Sequence, residues 1–99
     1  MTRIELLPGV FDDLKRIVDQ LLQHDVEQAL ARGHEIVSAI QVLANNPLIG
    51  RPMGSDKCEL VVGRGLNGYV ALYRYVPPID TVFVLAIRAQ REGGYARHE

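Results

Sequence analysis

Cysteine is almost absent from this sequence of 99 residues, since Cys58 is the only one. A single cysteine excludes an internal disulfide and a zinc site built from cysteines. No apolar run approaches the roughly 18 residues that a membrane span requires, and the N-terminus lacks the apolar core of a signal peptide. We therefore expect a cytoplasmic protein that does not enter a membrane and that is most simply bacterial.

Motifs for metals and cofactors are also missing. His24, His34 and His98 show no metal-ligand spacing, and Cys58 lies in an apolar pattern that is typical of a core residue. Gly63-Arg64-Gly65 lacks the third glycine and the following helix of a dinucleotide-binding motif, so we interpret it as a hairpin loop. We expect neither a metal nor a cofactor.

Charge is small overall but unevenly distributed. The net charge of −1 provides no general attraction to nucleic acid. Residues 1–50 nevertheless carry a charge of −3 and residues 51–99 a charge of +2, and six of the seven basic residues in the second half are arginines. This half is either a solvated sheet surface or a surface for a partner, for which arginine is well suited.

The first half of the chain has the periodicity of two helices. Apolar residues recur at spacings of three and four over residues 9–23, with charged residues such as Asp12 and Asp13 on the other face. Asp25 and Gln28 then resemble a capping box, and a second apolar stripe continues to the stop signal at residues 45–47. The short connection predicts an antiparallel helical hairpin.

The remaining segments alternate or are continuously apolar, as strands are. We predict strands at residues 3–7, 58–62, 69–76 and 81–88, with a long loop at residues 45–57. The chain, 1–99, is long enough for one domain. The predicted fold is α+β with the order β-α-α-β-β-β, in which the helical hairpin packs on one face of a small, four-stranded antiparallel sheet.

Both faces of this sheet are apolar. Along the third strand, one face would carry Tyr69, Ala71, Tyr73 and Tyr75 and the other Val70, Leu72, Arg74 and Val76. Along the last strand, strict alternation opposes Thr81, Phe83, Leu85 and Ile87 to Val82, Val84, Ala86 and Arg88. Because the hairpin covers one face, we expect the other to be open to a partner, unless the C-terminal tail or the 45–57 loop covers it.

The second half also gathers cations and a tyrosine: Arg51, Lys57, Arg64, Arg74, Arg88, Arg91 and Tyr95. Cleavage of RNA without a metal needs a base, a cation on the phosphate and a proton donor. Arginine and tyrosine supply the second and third, but arginine stays protonated and cannot be the base.

With these segments in this order, the chain resembles the RelE/ParE family of bacterial type II toxins. The resemblance is carried by residues 7–14, 43–52, 59–62, 69–75 and 84–95, that is, by nearly the whole chain. It implies the same β-α-α-β-β-β fold. It also implies a cognate antitoxin that wraps the toxin and forms a hetero-oligomer with it, for which we expect contacts at Leu14, Val18, Tyr69, Tyr73 and Arg74.

The family divides into RelE-like toxins, which cut mRNA on the ribosome, and ParE-like toxins, which inhibit DNA gyrase and block replication. The positions that resemble the cationic strand positions of RelE are here Leu60, Val62 and Val70, all apolar. The resemblance therefore favours a ParE-like gyrase inhibitor without catalytic residues.

For gyrase binding we expect the basic C-terminal residues Arg88, Arg91, Tyr95 and Arg97. The alternative is a RelE-like ribonuclease that uses Arg64, Arg91 and Tyr95. A third reading is a decayed toxin that only binds its antitoxin or a second copy of itself.

Overall fold

The computed structural model of the protein describes residues 1–96. In chain order its elements are β1 (Arg3–Leu6), α1 (Pro8–Leu22), α2 (Val26–Val42), β2 (Arg51–Pro52), β3 (Lys57–Val62), β4 (Tyr69–Val76) and β5 (Thr81–Ala89). The predicted element order is confirmed, with one additional short strand, β2, inside the 45–57 loop. Within residues 1–96, no helix has the length and apolar character that a membrane crossing requires.

The five strands form one sheet in the order β1-β5-β4-β3-β2. Neighbouring strands from β2 to β5 are antiparallel, as predicted, but β1 lies parallel to β5 and makes the sheet mixed. Parallel neighbours need a long connection, which the whole intervening chain supplies here. Sequence reasoning considered only the short turns between the last three strands and so missed this pairing.

Local signals in the sequence explain where the helices begin. Pro8 occupies the first turn of α1, where its missing N–H costs no hydrogen bond. Asp25 caps α2, since its Oδ1 accepts hydrogen bonds from the backbone N–H of Glu27 at 2.9 Å and of Gln28 at 3.3 Å. The predicted N-cap is therefore confirmed, and the two helices pack together on one face of the sheet.

Tyr73 is the largest fully buried side chain in the layer between helices and sheet. Its hydroxyl accepts a 2.9 Å hydrogen bond from the backbone N–H of Gly50. A Cβ atom at Gly50 would lie 2.7 Å from this hydroxyl and 2.7 Å from the backbone oxygen of Glu59. The chain before β2 can therefore approach the sheet this closely only at a glycine.

A β-bulge in β5 corrects the predicted alternation of its side chains. Leu72 of β4 pairs with Ala86, whereas the next residue, Tyr73, pairs with Val84, so the register shifts by one residue at Leu85. The extra residue resets the side-chain period. Val82, Val84, Ile87 and Ala89 therefore pack towards the helices, and Phe83, Leu85 and Ala86 pack on the opposite face.

That opposite face is not open as expected. Leu72, Leu85 and Ala86 are buried there, and Tyr95 from the C-terminal segment packs against them together with Leu7. The expectation of an uncovered face is wrong at this position, because the segment after β5 turns back over it. This part of the sheet is covered by the chain's own C-terminal segment, which was the alternative expectation.

Asp13 is fully buried, although the sequence pattern placed it on the solvated face of α1. β1 pairs with β5 only as far as Val84. Beyond that point, the Oδ2 atom of Asp13 accepts a 2.9 Å hydrogen bond from the backbone N–H of Ile87. The carboxylate thus supplies a hydrogen-bond partner that no strand provides, and it fixes α1 to β5.

Two further side chains extend this connection. Arg16 donates to the Oδ1 atom of Asp13 at 3.0 Å and to the Oε2 atom of Glu92 at 3.2 Å. Glu92 in turn accepts a 3.2 Å hydrogen bond from the backbone N–H of Ala89. The network joins α1, the end of β5 and the turn that follows it.

Replacement of Asp13 by alanine should destabilise the protein strongly. It would leave the buried N–H of Ile87 without this acceptor and would remove one partner of Arg16, so we expect a loss of about 3 kcal/mol in the free energy of unfolding. Urea denaturation measures this loss. The matched control is Asp12→Ala, since Asp12 is exposed on the same helix and its replacement should cost less than about 0.5 kcal/mol. Equal losses in the two variants would contradict the assigned role.

Candidate functional site

Glu59 is a carboxylate buried on the sheet face opposite to the helices, where its side chain is 2% exposed. It lies on β3 directly across from Arg51 of β2, whose Nη2 and Nε atoms lie 2.8 and 3.3 Å from its Oε1 atom. Its Oε2 atom accepts a 2.6 Å hydrogen bond from the hydroxyl of Tyr95. Arg88 Nη2 lies 3.9 Å from the same oxygen. We call these four residues the Glu59 cluster.

Arg88 holds the C-terminal segment in place. Its Nη1 atom donates to the backbone oxygens of Ala89, Gln90 and Glu92 at 3.2 to 3.3 Å, and its guanidinium lies 5.1 Å from the centre of the Tyr95 ring. The side chain is 16% exposed. It is turned inward onto the protein's own carbonyls and so has an internal role, while its contact with the target stays a prediction.

Glu59 and Tyr95, which share a hydrogen bond in the Glu59 cluster, have shifted pKa values. Burial by itself would raise the pKa of Glu59, but hydrogen bonds from Tyr95 and Arg51 and the charges of Arg51 and Arg88 outweigh burial and lower it. Burial, followed by the hydrogen bond to Glu59 and the charge of Glu59, raises the pKa of Tyr95. At neutral pH the cluster therefore contains an ionised carboxylate and a neutral phenol.

This arrangement is suited to holding structure rather than to proton transfer. A general base must reach the proton that it removes, and both oxygens of Glu59 already accept hydrogen bonds from the protein. Within residues 1–96, no group of three or more His, Cys, Asp or Glu side chains is placed to hold a metal ion. The Glu59 cluster instead fastens Tyr95 and the turn after β5 to the sheet.

The three residues predicted for the ribonuclease alternative come from the β3–β4 connection and from the segment after β5. Arg64 is exposed in the connection between β3 and β4, and Arg91 is exposed beside a cleft on the helix side of the sheet. Tyr95 lies on the opposite face, bound to Glu59. Arg97, predicted to contact the target, lies outside the described residues.

The residues predicted to bind an antitoxin are also separated. Leu14 and Val18 are half-buried on α1, and Arg74 lies on the other side of the sheet, with its Nε atom 3.0 Å from Asp56. Tyr69 and Tyr73 are buried in the core between helices and sheet. Tyr73 presents no exposed surface there and Tyr69 presents 7%, while their contact with an antitoxin stays a prediction.

A stripe of apolar side chains instead runs along the outside of both helices. On each helix its members are separated by four or seven residues, so they share one face. A member stands at each helix end beside the turn, since α1 ends at Leu22 and α2 begins at Val26. Its residues, which we call the helical stripe, are Phe11, Val18, Leu22, Val26, Leu30 and Val37.

Sequence reasoning missed Glu59 and its pairing with Arg51. One signal was present, because Glu59 is the only charged residue in the strand from Cys58 to Val62. A lone carboxylate within an apolar strand indicates a buried partner. The partner itself lies on β2, a two-residue strand too short to show a period of its own.

Two helices packed on one face of a five-stranded mixed sheet form the arrangement of the RelE/ParE toxin fold. The sequence matches the family "ParE toxin of type II toxin-antitoxin system, parDE" over residues 4–93. The chain therefore belongs to the ParE toxin family. No curated protein matches it.

Solved structures share the fold at low sequence identity. A chain of the chromosomal ParDE toxin–antitoxin system of P. aeruginosa is 22% identical with a TM-score of 0.74, over 90% of this chain and 96% of that one. A chain of the intact E. coli RelBE toxin–antitoxin complex is 13% identical with a TM-score of 0.63, over 93% of this chain and 100% of that one. A chain of the RelBE2 toxin–antitoxin complex of Mycobacterium tuberculosis is 19% identical with a TM-score of 0.60, over 90% of this chain and 98% of that one.

Replacement of Tyr95 by phenylalanine should cost about 1.5 kcal/mol in the free energy of unfolding at neutral pH, because it removes a hydrogen bond to a buried charged group. Tyr75→Phe is the matched control, since the hydroxyl of Tyr75 donates to the exposed Asp80. This control should cost less. Urea denaturation compares the two variants, and an equal effect would contradict a special role for the Glu59 cluster.

The stability that Glu59 contributes should depend on pH. Its folded-state pKa is lowered, so the contribution is present above the ordinary value of 4.5 and is lost as the pH falls through the lower folded value. The difference in unfolding free energy between the native chain and Glu59→Gln should therefore shrink below about pH 4.5. A difference that stays constant down to pH 3 would contradict this assignment.

Proposed function

We propose that this ParE-family protein is a toxin that inhibits DNA gyrase and thereby blocks replication. The family match over residues 4–93 is the observation that carries the proposal. It is supported by the structural neighbours, among which the chain of the ParDE system has a higher TM-score than those of the two RelBE complexes. Such a toxin would act in the cytoplasm, where gyrase meets DNA.

The side chains favour action by binding over RNA cleavage. Of the strand positions that resemble the cationic positions of RelE-like toxins, Val62 and Val70 are buried apolar residues and Leu60 is half-buried. The buried carboxylate that lies near two arginines, Glu59, has both oxygens occupied. A ribonuclease needs a reachable base and a cationic surface for the phosphate.

For gyrase contact we propose the surface around Arg91 and Tyr95. Arg91 is exposed, and Tyr95 is part-exposed at the edge of the covered sheet face. Arg88 supports this surface from beneath, because it fixes the turn between them. Arginine and tyrosine are enriched among residues that dominate protein interfaces.

We further propose that a cognate antitoxin covers the helical stripe, contacts Leu14 beside it on α1, and reaches Arg74 on the opposite face of the sheet. The neighbours named above come from toxin–antitoxin complexes or systems. Leu30 is 69% exposed and Val26 is 59% exposed, so the stripe offers apolar area to a partner. An amphipathic segment laid along both helices would bury this area.

A supercoiling assay tests gyrase inhibition. Purified protein should inhibit DNA gyrase in a dose-dependent manner, and Arg91→Glu should weaken inhibition at least tenfold because it reverses a charge at the proposed contact. Arg3→Glu is the matched control, since Arg3 is exposed on β1, beside the start of β5. It should inhibit like the native chain. Unimpaired gyrase at high excess of protein, together with cleavage of mRNA on ribosomes, would contradict the proposal.

Leu30→Lys should weaken binding to the proposed cognate antitoxin by at least tenfold, because it places a charge in a proposed apolar contact. Ile79→Lys is the control, since Ile79 is 59% exposed in the turn before β5, away from the helices. Isothermal titration calorimetry measures both affinities. Equal affinities of the two variants would show that the antitoxin binds elsewhere.

A further inference from the structure

A polar cleft lies between the turn of the helical hairpin and the neighbouring end of the sheet. Its volume is about 290 Å³. The helices contribute one wall, and the start of β4 and the end of β5 contribute the other. Its lining residues are Ile17, Gln20, Leu21, His24, Gln28, Arg32, Asn67, Gly68, Tyr69, Ala89 and Arg91. We infer that this cleft is a binding site for a small phosphorylated ligand.

The charge of the cleft points to an anion. Arg32 of α2 and Arg91 after β5 enter it from opposite walls, and none of its lining residues is acidic. Arg32 also pairs with Glu35 at 3.0 Å, at a position outside the lining. Arg91 is exposed at the mouth. Two guanidinium groups that converge from separate elements form a suitable clamp for a phosphate.

Tyr69 gives the cleft a polar group at its base. Its ring is buried in the core beside Ile17, while Arg32 and Arg91 and, with the opposite sign, Glu35 act electrostatically on its hydroxyl. The hydroxyl therefore lies near two cations and one anion, where it can donate a hydrogen bond to a bound anion. Leu21 and Ala89 add apolar surface around this base.

The number of donors favours phosphate over carboxylate. Besides two arginines and Tyr69, the amides of Gln20, Gln28 and Asn67 line the cleft. A carboxylate has two acceptor oxygens, whereas a terminal phosphate has three and a diphosphate more. The volume is at the lower end of small-molecule sites, which suits a ligand of mononucleotide size or smaller. This inference does not depend on gyrase inhibition.

NMR titration of the full chain tests the site, with pyrophosphate, adenosine monophosphate and the dicarboxylate glutarate as probes. We expect pyrophosphate or the nucleotide to shift the backbone amide signals of Asn67, Gly68 and Tyr69 in a saturable manner, and glutarate to bind at least tenfold more weakly. Tighter binding of the nucleotide would identify a nucleotide as the ligand. Equal or tighter binding of pyrophosphate would identify free phosphate groups.

Variants locate the binding. Arg91→Gln and Arg32→Gln should each weaken phosphate binding about tenfold, and Tyr69→Phe should weaken it several-fold while it keeps the ring in the core. Arg3→Gln is the matched control, because it also removes one positive charge but lies beside the start of β5, whereas the cleft lies at the end of β5. This variant should bind phosphate like the native chain. Absence of saturable binding, equal binding of glutarate, or equal weakening by Arg3→Gln would overturn the inference.

Discussion

The end of β5 that β1 does not reach is the constraint on which the rest of this structure depends. β5 has a neighbouring strand on each side, yet its parallel neighbour β1 pairs with it only as far as Val84. The backbone N–H groups of Ile87 and Ala89 bind side-chain oxygens of Asp13 and Glu92 instead. Because a buried N–H without a partner would cost more than an ordinary hydrogen bond contributes, these two carboxylates decide how α1 and the C-terminal turn sit on the sheet.

The position of that turn determines which surfaces a partner can reach. Glu92 and Arg88 hold it, and Tyr95 then packs on the far face of the sheet and closes the Glu59 cluster. The C-terminal segment therefore covers apolar surface that a second molecule would otherwise have to shield from water. The exposed surface includes the helical stripe on one side and the arginine-lined cleft at the end of the sheet. These are the two surfaces that we propose for an antitoxin and for a phosphorylated ligand.

Features that depend on local chemistry could be predicted from the sequence. The two helices, the Asp25 cap and the last three strands follow from periodicity and capping, and they lie where predicted. The parallel pairing of β1, the bulge at Leu85 and the burial of Asp13 depend on how distant segments meet. The burial of Tyr69 and Tyr73 also depends on how distant segments meet. Alternation places both side chains on one face of the sheet, but it does not say which face the helices cover.

Native-state hydrogen exchange at Ile87 and Ala89 tests most directly whether side chains complete β5. If Asp13 and Glu92 hold these amides, Ile87 and Ala89 should exchange about as slowly as amides in the part of β5 that pairs with β1. Exchange at the rate of the exposed residues in the turn after β5 would contradict this central role.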